Sequence, residues 1–234
     1  MSPQIVRNRI NRKIYTAYSY ILDVDISNLY TNVGRVGWMR PTKNIQFAEG
    51  KVEDREQWKT ADGRKWVHLD YDPLSNHATT FGLMPRKAVK NAKQDTYAHV
   101  RTQAILALDD CSINDGGFQC IPGFHKIMQD VWIKESGTKM IAKGVFQHRY
   151  QFKEDDPLIG YVAKCPIRRG SYLIWNNKLP HNNFSNNSNH ARKVQYIRYA
   201  RYDDPATKPV KFGVEQQGPW GMWPLTLQFP FEQV

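Results

Sequence analysis

Cysteine is scarce in this 234-residue chain. The three thiols, Cys111, Cys120 and Cys165, are an odd number without CxxC spacing, so neither a disulfide framework nor a zinc knuckle is indicated. Long apolar runs are missing as well. No window approaches the roughly 18 apolar residues that a membrane-spanning helix requires. Residues 1–13 lack the apolar centre of a secretory leader, and the expectation is a soluble intracellular protein. There is no G-x-S-x-G elbow, no P-loop and no G-x-G-x-x-G turn, which argues against the common hydrolase and nucleotide-binding designs.

What is present is basic and aromatic. The formal net charge is +11, from 33 Lys and Arg against 22 Asp and Glu. The cations are dispersed in three groups, Arg7–Lys13, Arg86–Lys93 and Arg192–Arg201, and none forms an arm of the kind that tracks nucleic acid. A solvated basic surface is the reading, with nucleic acid as a partner not favoured. Aromatic residues make up 12% of the chain, which leans towards strands around an aromatic-lined pocket. Two sequons, Asn183-Phe-Ser185 and Asn186-Asn-Ser188, fall in an Asn-rich stretch expected to be a loop, where they read as chance matches.

The length suits one domain. Residues 1–60 are expected to form an N-terminal helical or irregular layer, with 34–65 polar and turn-rich. Residues 61–202 would form the core, interrupted by an insertion at about 125–169. Residues 203–234 would pack over it. Strand signals fall at 65–70, 102–108, 117–121, 171–175 and 193–202. Helical character is expected at 86–100 and 125–143, and 144–169 is the expected lid. Short strands between Gly/Pro turns, with helices largely ahead of them, give a mainly β fold with flanking helices: a double-stranded β-helix, or jelly-roll, of cupin type.

The chemistry starts at His68-Leu69-Asp70. Residues i and i+2 of a strand share a face, so an imidazole and a carboxylate can reach one cation while Leu69 points away. Taken alone, the triplet reads more readily as a surface histidine beside an aspartate. Farther on, Gly170–Asn176 is a turn and strand, Pro180-His181 follows a short loop, and Arg192 lies eleven residues beyond His181. His68, Asp70 and His181 would complete a two-histidine, one-carboxylate facial triad with three positions open. Arg192 would supply a bidentate anchor for a carboxylate.

With these motifs in place, residues 66–202 resemble the phytanoyl-CoA dioxygenase family of iron(II)/2-oxoglutarate oxygenases. The likeness rests on three stretches: His68-Leu-Asp70; Asp115-Gly-Gly-Phe-Gln-Cys-Ile-Pro-Gly-Phe-His125; and Arg169–Asn176 followed by His181, Asn186-Asn-Ser188 and Arg192. Phe124 stands where the family usually has serine, and Asp115 where it has asparagine. The resemblance implies a jelly-roll core, iron(II) on His68, Asp70 and His181, and 2-oxoglutarate held by Arg192. It also implies dioxygen as oxidant, ascorbate as a supporting reductant, and hydroxylation of a small organic molecule with release of succinate and carbon dioxide. Asp70 fills the position that halogenating members leave to a small residue, which disfavours halogenation.

Gln103 and Asn183 are further candidates for the cosubstrate, set against a strand-end amide and a turn residue respectively. Tyr71, Phe124, Trp175 and Trp220 are the candidate substrate contacts, with Trp175 also fitting a core position. Two rival functions remain: the same chemistry on a nucleic-acid or protein substrate, and a cupin-like binding module without catalysis.

Overall fold

Alternation along short strands sorts side chains onto two faces, and burying one face of each sheet against the other gives a sandwich. A computed structural model describes residues 3–31, 35–59, 66–70, 102–132 and 150–201. Helices α1 (Pro3–Arg9) and α2 (Arg12–Leu22) come first. Strands β1 (Leu29–Thr31), β2 (Val36–Met39), β3 (Ile45–Gln46), β4 (Val52–Glu53) and β5 (His68–Leu69) follow. Beyond them lie β6 (Thr102–Ala107), β7 (Asp115–Cys120), the short helix α3 (Phe124–Ile127) and β8 (Tyr150–Gln151). The series ends with β9 (Ala163–Lys164), β10 (Tyr172–Asn176), β11 (His181–Asn186), β12 (Arg192–Tyr196) and β13 (Tyr199–Arg201).

One sheet runs β10-β6-β12-β2 and the other β8-β5-β11-β7-β9, and every pairing is antiparallel. Their inner faces meet through Ile105, Ala107, Trp175 and Val194 from the first sheet and Phe118 from the second, with Ile167 and Leu179 from the adjoining loops. The outer face of the first sheet carries Ala104, and α2 covers it with Ile14, Tyr15 and Tyr18. Asn11 starts α2 by accepting from the backbone N–H of Lys13, an N-cap that satisfies one of the helix's free donors. Gln195, wholly buried on β12, ties α1 down: it donates to the Ile5 carbonyl and accepts from Asn8. These features make the fold the expected jelly-roll sandwich, mainly β with flanking helices.

The expected strands form, with four differences. The stretch read as one strand over 193–202 is two, because Ile197 and Arg198 break it: β12 stays in the first sheet and β13 pairs with β1. The Asn-rich stretch is a loop only beyond Asn186. Its earlier part belongs to β11, the middle strand of its sheet, where Asn182 accepts from Gln119 at 2.8 Å, and Asn186 turns the chain by bonding Ser188 and the His190 carbonyl. Asparagine's poor strand propensity is overridden by pairing on both edges. Within the turn-rich 34–65, Val36–Met39 forms the edge strand β2 with Trp38 exposed, so no buried apolar face announced it.

The fourth difference concerns the expected lid. Residues 150–164 begin and end as the two outermost strands of the second sheet, β8 and β9. Between them, Phe152, Leu158, Ile159 and Val162 lie against Val67, Leu69, Ile121 and Phe124. Leu69 points away from His68, so this strap covers the back of the sheet rather than the space between the sheets. Phe124, expected near a substrate, is buried in the same back-side cluster. The helix expected over 125–143 is seen as α3 and a π-helical turn to Trp132. The expected helix at 86–100, Tyr71, Trp220 and the C-terminal 203–234 lie outside the described residues. Among the described residues no helix is long and apolar enough to cross a membrane.

Leu69 is fully buried between the strap and its own strand. Leu69→Ala is therefore expected to lower the unfolding free energy by about 2–5 kcal/mol, measured by urea denaturation. A loss below about 1 kcal/mol would show that the strap does not pack as described.

Candidate metal centre

β5 and β11 are neighbours, and His68 stands directly opposite His181 in their register. Side chains opposite one another in an antiparallel pair share a face, with Cβ atoms about 5 Å apart. The two imidazole centroids are accordingly 5.0 Å apart, inclined at 44°. Asp70, two residues past His68, returns to the same face and places one carboxylate oxygen near each ring. Its Oδ1 is 3.2 Å from His68 Nε2, and its Oδ2 is 3.7 Å from His181 Nε2. The three donor atoms lie within 4.8 Å of one another, and this is the one such group of three His, Cys, Asp or Glu side chains among the described residues.

Each histidine is turned by its own backbone. His68 Nδ1 is 2.9 Å from the Trp66 carbonyl, and His181 Nδ1 is 2.8 Å from that of Leu179. Making those bonds puts the proton on Nδ1 and leaves the Nε2 lone pair for the centre, the usual arrangement behind metal-binding imidazoles. Trp66 stacks on His68 at 5.4 Å and 16°, while Trp175 and Phe118 flank His181 at 5.1 and 5.8 Å. Burial lowers the His181 pKa to about 4, so the ring is neutral at pH 7. Burial would raise Asp70, but the two histidine rings facing it and the Gln103 amide that donates to it outweigh burial and hold the carboxyl at about 2. A neutral imidazole and an ionised carboxylate are the forms that ligate metals.

The triad opens into a cavity of about 410 Å³ between the sheets. That is the scale of a small-molecule site. Gln103, Asn183, Trp175 and Arg192 all line it, so each of these sequence candidates is brought to the site. Gln103 donates from Nε2 to Asp70 Oδ2, which fixes the carboxylate's orientation. Trp66, Arg35 and Tyr196 also line the cavity and carried no sequence signal. Trp66 is adjacent to the ligand strand, whereas Arg35 joins only through β2 pairing beside β12.

Arg192 is 2% exposed and has no acidic partner among the described residues. Its Nε and Nη2 meet no nitrogen or oxygen partner among the described residues, and the polar neighbours of the guanidinium are two sulfurs, Met39 at 3.6 Å from Nη1 and the Cys111 thiol. An uncompensated buried cation is costly, and an anion is what relieves it. Gly117, at φ +140°, makes room for this side chain. A Cβ there would stand 2.9 Å from Cys111 Sγ and 3.4 Å from Arg192 Nε. Two imidazoles and a carboxylate facing one point, beside an orphaned guanidinium, fit a divalent cation together with a carboxylate-bearing cosubstrate.

The His181 shift has a sign. An unfolded histidine binds a proton below about 6.5, while the buried ring resists it down to about 4, so stability falls as pH drops through that window. Thermal melts of metal-free protein between pH 7 and 4 are expected to show this loss, and His181→Gln should remove that share of it. Identical pH profiles for the two proteins would contradict the burial described.

Comparison with known proteins places this geometry. The model of the phytanoyl-CoA dioxygenase (PhyH) family matches residues 84–194, a span that includes Gln103, His181 and Arg192 and begins after Asp70. A curated relative from Dictyostelium discoideum, named for phytanoyl-CoA dioxygenase, is 25% identical over 206 residues. The alignment covers 83% of this chain and 53% of the relative. Crystal structures of EctD from S. alaskensis share the fold at a TM-score of 0.52 and 16% identity. The apo form is covered over 92% of this chain and the complex with 2-oxoglutarate and 5-hydroxyectoine over 94%, each over 59% of the EctD chain. The chain thus spans about half the length of its curated relative. Over residues 84–194 the chain is similar to the phytanoyl-CoA dioxygenase (PhyH) family, and the curated relative bears that family's name.

Proposed function

We propose that this protein is a non-haem iron(II)- and 2-oxoglutarate-dependent oxygenase that hydroxylates a small organic molecule, releasing succinate and carbon dioxide. The observation that carries the reading is the joining, in one cavity, of a facial His68–Asp70–His181 donor set with the uncompensated Arg192 guanidinium. The EctD structure holding 2-oxoglutarate supports it through the shared fold.

His68, Asp70 and His181 would hold the metal through two neutral imidazoles and a carboxylate, leaving neighbouring positions for the cosubstrate. Gln103 keeps Asp70 from rotating away. Arg192 would bind the distal carboxylate of 2-oxoglutarate with a charge-assisted, two-point contact. Asn183 and Gln103 offer amides to the same cavity. Trp175, Phe118 and Ile105 give it apolar walls that exclude water around the reacting atoms. When bound, the iron supplies the activation of dioxygen that couples cosubstrate decarboxylation to substrate oxidation. The cavity's volume lies in the range of small-molecule sites.

Purified protein with iron(II), ascorbate and 2-oxoglutarate is expected to form succinate under air and none anaerobically. Oxygen-independent succinate, or none despite bound iron and 2-oxoglutarate, would overturn the reading. His68→Ala and Asp70→Ala should each lose iron retention and turnover, followed by metal analysis and succinate release. Arg192→Ala should keep iron and weaken 2-oxoglutarate binding about 10- to 100-fold, the worth of a charged hydrogen bond. Unchanged cosubstrate affinity would place the anchor elsewhere. Gly117→Ala forces a Cβ against Cys111 and Arg192. It should weaken 2-oxoglutarate binding while sparing metal, in the same calorimetric titration.

A further inference from the structure

We infer that the cavity takes a substrate bearing a carboxylate or phosphate group, and that Arg35 is the residue that receives it. The inference rests on the oxygenase reading above and concerns the same cavity. Arg35 lies at the exposed rim, where it lines the cavity with Trp66 and Tyr196. Its guanidinium sits 4.5 Å from the centre of the Tyr196 ring, a cation–π contact that holds it in place without satisfying its charge. The backbone is tied at the same point, with the Tyr196 N–H donating to the Arg35 carbonyl at 2.8 Å. No acidic side chain lies within ion-pair distance of Arg35 among the described residues.

Charge balance gives this cation its meaning. Among the described residues, Asp70 is the one acidic side chain in the cavity wall, and it is committed between His68 and His181. Iron(II) and Arg192 together bring three positive charges, which Asp70 and the two carboxylates of 2-oxoglutarate cancel. Among the described residues Arg35 is left over. A neutral substrate would leave it to solvent, a cationic one would meet repulsion, and an anionic one gains a charge-assisted partner. The neighbouring Trp66 face, with Ile105 deeper in, suits a short apolar body behind the charged group.

The test is calorimetric titration of protein loaded with manganese(II) and 2-oxoglutarate, at fixed ionic strength, with hexanoate, hexyl phosphate and the neutral hexanamide as probes. At least one anion is expected to bind about tenfold more tightly than the amide, and the arm that wins identifies the headgroup. Arg35→Gln should abolish that preference and Arg35→Lys should retain part of it, while both keep wild-type affinity for 2-oxoglutarate. Equal binding of acid and amide, no binding of any probe, or a preference that survives Arg35→Gln overturns the inference and leaves the oxygenase reading standing. Failure of wild-type protein to bind manganese and 2-oxoglutarate would instead overturn the oxygenase reading, and the subsite with it.

Discussion

One register holds the site together: His68 opposite His181 across β5 and β11. Strand side chains alternate with a period of two, so a slip of one residue would send one imidazole to the back of the sheet and leave the other alone. The second sheet guards against that slip from both sides. Leu69 is locked under the strap on the back face, and β11 is paired with β7 over its whole length on its other edge. Asp70 arrives on the same face two residues after His68 and is held there by Gln103 from the opposite sheet. The hydrogen bond from Gln103 is therefore also a tie between the two layers at the level of the metal.

Much of this was legible in the sequence, and the reasons differ by element. His68-Leu-Asp70 works through strand geometry alone, so its residues and spacing suffice. Arg192 and His181 are separated by a turn whose length is visible, and Gln103 begins an apolar run that could only be a buried strand. The hidden parts depended on partners. Half of β11 is asparagine and it reads as a loop, because Asn182 and Asn186 are satisfied by Gln119 and by the turn after the strand, which no local pattern reveals. Arg35 and Tyr196 meet through the pairing of β2 with β12, at a separation of some 160 residues in the chain, and exposed Trp38 gave β2 no apolar face to betray it. Phe124 failed as a cavity residue for a complementary reason. Its neighbours in sequence resemble a pocket loop, but its apolar ring found a larger buried surface behind the sheet.

The two sheets divide their labour. The second provides the candidate metal donors, with His68 and His181 on one strand pair. The first provides Arg192, Gln103, Trp175 and the strand against which Arg35 is placed. The β2–β12 edge can therefore change its side chains without disturbing the register that sets His68 opposite His181.

The orphaned Arg192 has a consequence beyond recognition. A buried charge without a counter-charge makes the empty cavity the expensive state of the molecule, and an anion that fills it stabilises the folded chain by mass action. The lifetime of such a chain, where unfolded copies are continually removed by proteases, would follow the supply of whichever anion fills the cavity, with no change in synthesis.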